Sequence, residues 1–247
     1  MLTGDVTAAD ALILDVDQVL LDTRPSFYAA AQRVVEQHGG TLSSADIEVF
    51  KQAGGFNDDW HMARAAVAVS HWRRQTDRTD ALATLLTPDA GLEGVLSWAP
   101  DPGPLRQACE EAYWELAHRE VVLVDVDLLR ALNDAGVRTF ACTGRNRREA
   151  QSAFDRLGWT PERLTTMEDA LKPDPTALLR LLDGIASAWF AGDSIDDQRC
   201  AQAVRPLTDS TVRFVRVVED KQSLPEADAV SVGINPFLER FLETCHA

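Results

Sequence analysis

The sequence predicts an α/β fold: a doubly wound, Rossmann-like parallel sheet core with one inserted α-helical cap domain. Three observations predict it. A short apolar run, Ala11 to Leu14, leads straight into Asp15 and Asp17 near the start of the chain. A block with helical patterning and no convincing strand follows, up to about Glu120. From Val121 onward strand and helix signals alternate, the pattern of right-handed βαβ units on a parallel sheet. The boundaries are then residues 1–23 and 121–247 for the core and 24–120 for the cap.

Taken in order, the first strand is Ala11 to Leu14. Four apolar residues bounded by polar ones suit a strand buried on both faces of a parallel sheet, although periodicity alone leaves a helix open. Asp15 and Asp17 then stand at the carboxyl end, the edge where open α/β sheets bind ligands. Two acids one residue apart are poor core material, because an unpartnered buried carboxylate is costly, and a metal ion would relieve that cost. Taken alone, the pair reads better as the start of a turn. In the inserted block, Pro25 to Gly39 has helical spacing and stops at Gly39-Gly40, and Ser43 to Phe50 suggests a second helix. Ala63 to His71 and Gly94 to Trp98 carry weaker helical signals, and Pro104 to Glu120 reads as amphipathic. Prolines and glycines between Pro88 and Pro104 mark a loop.

Downstream, Asp125 to Ala135 predicts a helix closed by Gly136, and Val137 to Thr143 a buried strand. Arg147 to Leu157 predicts a helix, followed by a short segment near Leu164 to Met167 and a helix from Pro175 to Leu182. Ala186 to Ala191 is another buried strand, Asp196 to Ala203 begins a helix, and Val212 to Val218 is the last clear strand.

Composition narrows the function classes. With 247 residues, 45% of them hydrophobic, the chain can bury a sizeable core. The formal net charge of −15 argues against a nucleic acid or an anionic membrane as partner. A small phosphorylated substrate remains compatible, since a local cation can reverse the sign inside a pocket. Cys109, Cys142, Cys200 and Cys245 show neither zinc spacing nor a disulfide framework, which fits reduced thiols in a cytoplasm. No signal-peptide pattern and no apolar run long enough to span a bilayer is expected.

Three later segments supply parts that match the first acids. Thr143-Gly144-Arg145 closes a strand with a hydroxyl and backbone N–H groups suited to phosphate oxygens, or with a simple helix cap. Lys172, in Leu171-Lys172-Pro173-Asp174-Pro175, is held by flanking prolines and could neutralise a phosphate; a solvated surface lysine is the plainer account. The strand Ala186 to Ala191 runs into Gly192-Asp193-Ser194-Ile195-Asp196-Asp197. Acids here also suit a helix start, but Asp193 stands directly at the strand end. Two acidic clusters on two strand ends, with few His or Cys candidates, favour a hard oxygen-ligated cation, Mg²⁺. A rival pair, Asp125 and Asp127, precedes a helix and reads as capping acid.

The ordered set Asp15-Val16-Asp17, Thr143, Lys172-Pro173, and Gly192-Asp193-Ser194 with Asp197 resembles the haloacid dehalogenase superfamily, in the subgroup with a helical cap after the first strand. The resemblance implies an Mg²⁺-dependent phosphatase of small phosphorylated metabolites. Asp15 would be the nucleophile, Asp17 the acid and base, and Thr143, Gly144 and Lys172 the holders of the phosphoryl oxygens. The metal would be held by Asp15, the Asp17 carbonyl and Asp193, with Asp197 in support. Gln18 stands where that family often has glycine. Dehalogenation is not implied, because that chemistry does not use the acid present here as Asp17. In the cap, Gly54 to Trp60 suggests a substrate-reading loop with Asn57 and Trp60 as contacts, or an ordinary connector. A phosphomutase on the same nucleophile and a non-catalytic metabolite-binding protein are the alternatives; a monomer or homodimer is expected, with a cap that closes to exclude water.

Overall fold

In the structure, a computed structural model, the described residues are 1–53, 56, 59–76, 81–86, 96, 99, 101–219 and 227–245. The elements run in chain order as strands β1 (Leu2–Gly4), β2 (Ala11–Leu14) and β3 (Leu21–Asp22), then helices α1 (Ala29–Gln37), α2 (Ser44–Ala53), α3 (Asp59–Thr76), α4 (Leu82–Leu85) and α5 (Pro102–Leu116). There follow β4 (Val121–Val122), α6 (Val126–Asp134), β5 (Arg138–Cys142), α7 (Arg147–Leu157), β6 (Arg163–Thr165) and α8 (Thr176–Leu179). The chain closes with β7 (Ser187–Gly192), α9 (Ile195–Val204), β8 (Thr211–Val218), β9 (Ala229–Val232) and α10 (Asn235–Cys245).

Seven strands form one sheet in the order β1-β9-β8-β7-β2-β5-β6, parallel except for β1 against β9. Strand β2 is central and wholly buried, with Leu14 in register with Ala141 of β5 and Ala191 of β7. Its apolar run is explained by the two-residue period of a strand covered on both faces. Leu12 and Leu14 join the layer of Trp189, Val215 and Phe237, whereas Ala11 and Ile13 join that of Phe140, Phe190, Phe214 and Leu178. Each fully buried large side chain of this kind stabilises the fold by about 1.5–3 kcal/mol.

The chain divides into two compact units, Met1–Asp22 with Val121–Ala247, and Thr23–Glu120. The second unit is helical in its described residues and has a core of its own, in which Phe27 stacks on Tyr113 at 4.0 Å and Val34, Phe50, Trp60 and Val67 are buried. Helix α3 extends well beyond Ala63 to His71; its alanine-rich, weakly amphipathic sequence hides its length. Helix α5 begins at Pro102, two residues earlier than the pattern suggests, because the Asp101 carboxylate accepts the Gly103 N–H as an N-cap. The helix expected over Pro175 to Leu182 is regular only at Thr176–Leu179. Apart from Leu96, Gly94 to Trp98 lies outside the described residues. Val212 to Val218 is not the last strand: β9 follows it, pairs with the N-terminal β1, and hands on to α10. Among the described residues, no helix is long and apolar enough to cross a membrane.

Candidate active site

The sheet order reverses beside β2: the chain steps from β2 outward through β5 and β6, then returns to β7 on the other side and continues to β8. The carboxyl ends of β2 and β7 therefore border a topological switch point, the ligand-binding crevice of open α/β sheets. Asp15 follows β2 directly, and its N–H bonds the Ala191 carbonyl at 2.9 Å, carrying the register one residue past the strand. Asp193 follows β7 directly.

Asp197 reaches the same place from the first turn of α9. Ser194 and Asp197 form a reciprocal capping box: Asp197 Oδ2 accepts the Ser194 N–H at 2.9 Å and its hydroxyl at 2.6 Å, and Ser194 Oγ accepts the Asp197 N–H at 3.1 Å. Oδ1 is left for the ammonium of Lys172, at 2.5 Å. The Asp197 side chain packs flat on Gly192, where a Cβ would come within 2.5 Å of the Asp197 Cβ. Glycine at 192 is thus a requirement of space.

Lys172 is 3% exposed and spends its three donors on three acceptors: Asp197, Asp15 Oδ2 at 3.0 Å, and the Cys142 carbonyl at 3.3 Å. Burial disfavours its charge, but Asp15 and Asp197 outweigh that and hold the ammonium well above the ordinary lysine value. Burial pushes Asp15 well above the usual carboxylate range; Lys172 opposes the shift, while Asp197, Asp193 and Asp17 add to it. Burial also acts to raise Asp197, but Lys172 and the Ser194 donors prevail and keep it below the ordinary value. One oxygen each from Asp15, Asp193 and Asp197 lie within 4.8 Å of one another. Three carboxylates against one ammonium leave an excess of negative charge, and the all-oxygen donor set fits a hard divalent cation.

On the neighbouring strand, Thr143 and Gly144 follow β5. Thr143 is buried, its N–H bonds the Thr165 carbonyl at 3.0 Å, and its Oγ1 accepts the Arg145 N–H at 3.2 Å. Its hydroxyl hydrogen is committed to no described group. Asp17 does not join the three clustered acids. Its Oδ1 instead accepts both Nε and Nη2 of Arg145, at 2.9 and 2.7 Å.

Sequence reasoning placed Asp15, Lys172, Asp193 and Asp197 in one site, and the fold brings these four together. Arg145 and Ser194 stand in the same motifs, and the sequence assigns neither a role. The signal for Ser194 was its spacing of three from Asp197; an arginine beside a strand end gives no sequence sign that it will be 1% exposed. Asp125 accepts the Asp127 N–H at 3.0 Å as the N-cap of α6. In the cap, Asn57 lies outside the described residues, and Trp60 is 5% exposed, 5.4 Å from Phe27 between ring centres. Its ring belongs to the cap's own core, not to the open stacking surface expected of a substrate contact.

Comparison with known proteins fits this geometry. No curated protein sequence matches the chain. Among solved structures it is similar to phosphatase Tt82 of Thermococcus thioreducens, at 23% identity and a TM-score of 0.70 over 94% of this chain and 98% of that one. A hydrolase from Pseudomonas syringae superposes with a TM-score of 0.65 at 17% identity, over 95% and 98% of the two chains. A protein classed as a beta-phosphoglucomutase from Thermotoga maritima does so with 0.58 at 18%, over 95% and 99%. At such identities the likeness is one of fold. The family model for haloacid dehalogenase-like hydrolases matches residues 9–204, which include Asp15, Lys172, Asp193 and Asp197, and the chain belongs to that family.

Proposed function

We propose that this hydrolase is an Mg²⁺-dependent phosphatase of small phosphorylated metabolites that works through an aspartyl-phosphate on Asp15. The observation that carries the reading is the meeting of Asp15, Asp193, Asp197 and Lys172 at the switch point of the sheet. Asp15 attacks phosphorus and the ester P–O bond breaks, with the departing oxygen taking a proton from Asp17. Asp17 then removes a proton from water, which attacks phosphorus and releases phosphate and the free Asp15 carboxylate. Splitting one displacement into two is the gain of covalent catalysis, and Lys172, which opposes the effect of burial on Asp15, favours the carboxylate form that attacks.

The Thr143 hydroxyl, the Gly144 N–H and the Lys172 ammonium, which turns one N–H away from the long 3.3 Å contact with the Cys142 carbonyl, hold the other phosphoryl oxygens as charge moves onto them. Asp15, Asp193 and the Asp17 carbonyl would hold Mg²⁺, with Asp197 in support through Lys172. When bound, the cation offsets repulsion between nucleophile and phosphoryl group and stabilises the charge of the transferring group. Free Cys109, Cys142, Cys200 and Cys245 support a reducing, cytoplasmic setting.

The test is phosphate release from a panel of phosphorylated metabolites with Mg²⁺, run beside Asp15→Asn and a chelator. Release is expected in the wild type and a loss of roughly 10³-fold or more in both controls. Release that survives Asp15→Asn refutes the nucleophile assignment. Interconversion of sugar phosphates without net release, dependent on a bisphosphate, would identify a mutase instead.

A further inference from the structure

We propose that Arg145 is a positioning residue that keeps the Asp17 carboxylate out of the cation site and turns one of its oxygens toward proton transfer. The inference rests on the reading of Asp17 as acid and base given above. Residues two apart in extended backbone face the same way, so Asp15 and Asp17 would, left to themselves, offer four carboxylates to the cluster in place of three. The three grouped acids do not include Asp17. What holds it is the guanidinium of Arg145, whose Nε and Nη2 both close on a single oxygen, Oδ1, at 2.9 and 2.7 Å. Oδ2 accepts no hydrogen bond from a described residue, and the Asp17 side chain is 29% exposed where Arg145 is 1%.

The arginine is itself fixed. Its N–H bonds Thr143 Oγ1 at 3.2 Å, and its Nη1 bonds the Glu149 carbonyl at 3.3 Å in α7, a helix closed at its start by the Asn146–Glu149 capping box. A buried, braced fork of this kind loses little conformational freedom on gripping a carboxylate, and lysine, a single point charge, cannot reproduce the grip. Released from it, Asp17 would add a fourth charged oxygen to the cation site. The site would bind metal more tightly and lose its proton-transfer group.

The experiment uses Mn²⁺ as the probe, titrated without substrate into the wild type, Arg145→Ala, Arg145→Lys, Asp17→Asn and the double variant Arg145→Ala with Asp17→Asn. Phosphate release is measured in parallel on p-nitrophenyl phosphate and on an alkyl phosphate. Arg145→Ala is expected to bind Mn²⁺ more tightly, by roughly 10-fold or more, because affinity at oxygen-donor cation sites rises with ligand charge count. The same substitution made on Asp17→Asn is expected to change Mn²⁺ affinity by less than about threefold, since no carboxylate is left to release. On turnover, kcat/KM of Arg145→Ala should fall roughly 10²–10⁴-fold for the alkyl ester and less for p-nitrophenyl phosphate, whose leaving group needs no proton. Arg145→Lys should recover little of the loss.

Equal tightening with and without the Asp17 carboxylate would show that removal of positive charge is the whole effect and would overturn the proposal, as would Arg145→Ala with unchanged metal affinity. If Arg145→Ala does not fold, Arg145→Gln is read on the same scale. If no variant, wild type included, releases phosphate, the phosphatase reading fails while the Mn²⁺ cycle still decides the role of Arg145.

Discussion

Replacing Gly192 by alanine is expected to damage stability and site together. The new Cβ would stand 2.5 Å from the Asp197 Cβ, 2.6 Å from its Cγ and 2.7 Å from its Oδ2. An ordinary contact needs about 1 Å more, so the carboxylate must move. Asp197 has nowhere to go: it is fully buried and fixed by Lys172 at 2.5 Å and by the Ser194 N–H and hydroxyl. Overpacking costs about 1–3 kcal/mol, and loosening hydrogen bonds to a buried charge a further 1.5–3 kcal/mol or so. A total of roughly 2.5–6 kcal/mol is a large part of the stability of a typical domain and corresponds to a fall in Tm of about 5–24 °C at this chain length. Thermal and urea denaturation measure it, with Asp197→Gly and the double variant completing a cycle. Glycine at 197 removes the colliding Cβ, so the double variant should be less destabilised than the sum of the singles by 1 kcal/mol or more. Gly192→Ala with a Tm within about 2 °C of the wild type refutes the steric argument.

Two smaller perturbations test other parts of the core. Gln18 has a φ of +58° in the tight turn after Asp17, where its N–H bonds the Leu21 carbonyl at 2.7 Å. Gln18→Gly trades left-handed strain against chain entropy and is expected to leave stability unchanged or raise it by up to about 1 kcal/mol in urea denaturation; a loss larger than that would show that the side chain holds the turn. Asp169 takes the Thr166 N–H and hydroxyl on Oδ2, at 3.1 and 3.0 Å, and Arg147 and Arg180 on Oδ1. Burial acts to raise its carboxyl, but these partners hold it below the ordinary value. A depressed acid stabilises the fold above its unfolded pKa, and that contribution disappears as pH falls through the folded value. Asp169→Asn should therefore cost about 1 kcal/mol at pH 7, with the gap to the wild type narrowing as the pH falls below the unfolded carboxyl value of about 4; a gap that stays constant on acidification contradicts the assignment.

The parts of this molecule legible in its sequence are those governed by local pattern. Ala11–Leu14 declares itself because both faces of β2 are covered, so the apolar run is unbroken and ends sharply at the acids. The capping box of α9 is written in the spacing of Ser194 and Asp197. What escaped depends on residues far apart in the chain. The edge strand β1 is defined by its pairing with β9, Leu2 opposite Ser231, more than two hundred residues away. The two-residue antiparallel ladder of β3 and β4, whose strands flank the whole inserted unit, is too short to carry a period. Arg145 carries no role in the sequence until the fold sets Asp17 against it, and Trp60 reads as a ligand contact because an aromatic beside two glycines suits a binding loop and a packed turn alike.

Chain order gives the central strand a further consequence. Both neighbours of β2 lie downstream of the inserted unit, and the second, β7, ends only at Gly192. At typical synthesis rates the stretch from Leu14 to Gly192 takes on the order of 10–40 s to make. Throughout that interval Ala11–Leu14, the most apolar and most deeply buried strand of the finished sheet, has an open edge able to pair with other chains. The intervening Thr23–Glu120 unit has a hydrophobic core of its own to assemble in the meantime. Chains terminated before β7 should therefore accumulate as aggregates even though Asp15 and the whole of the cap have already been made.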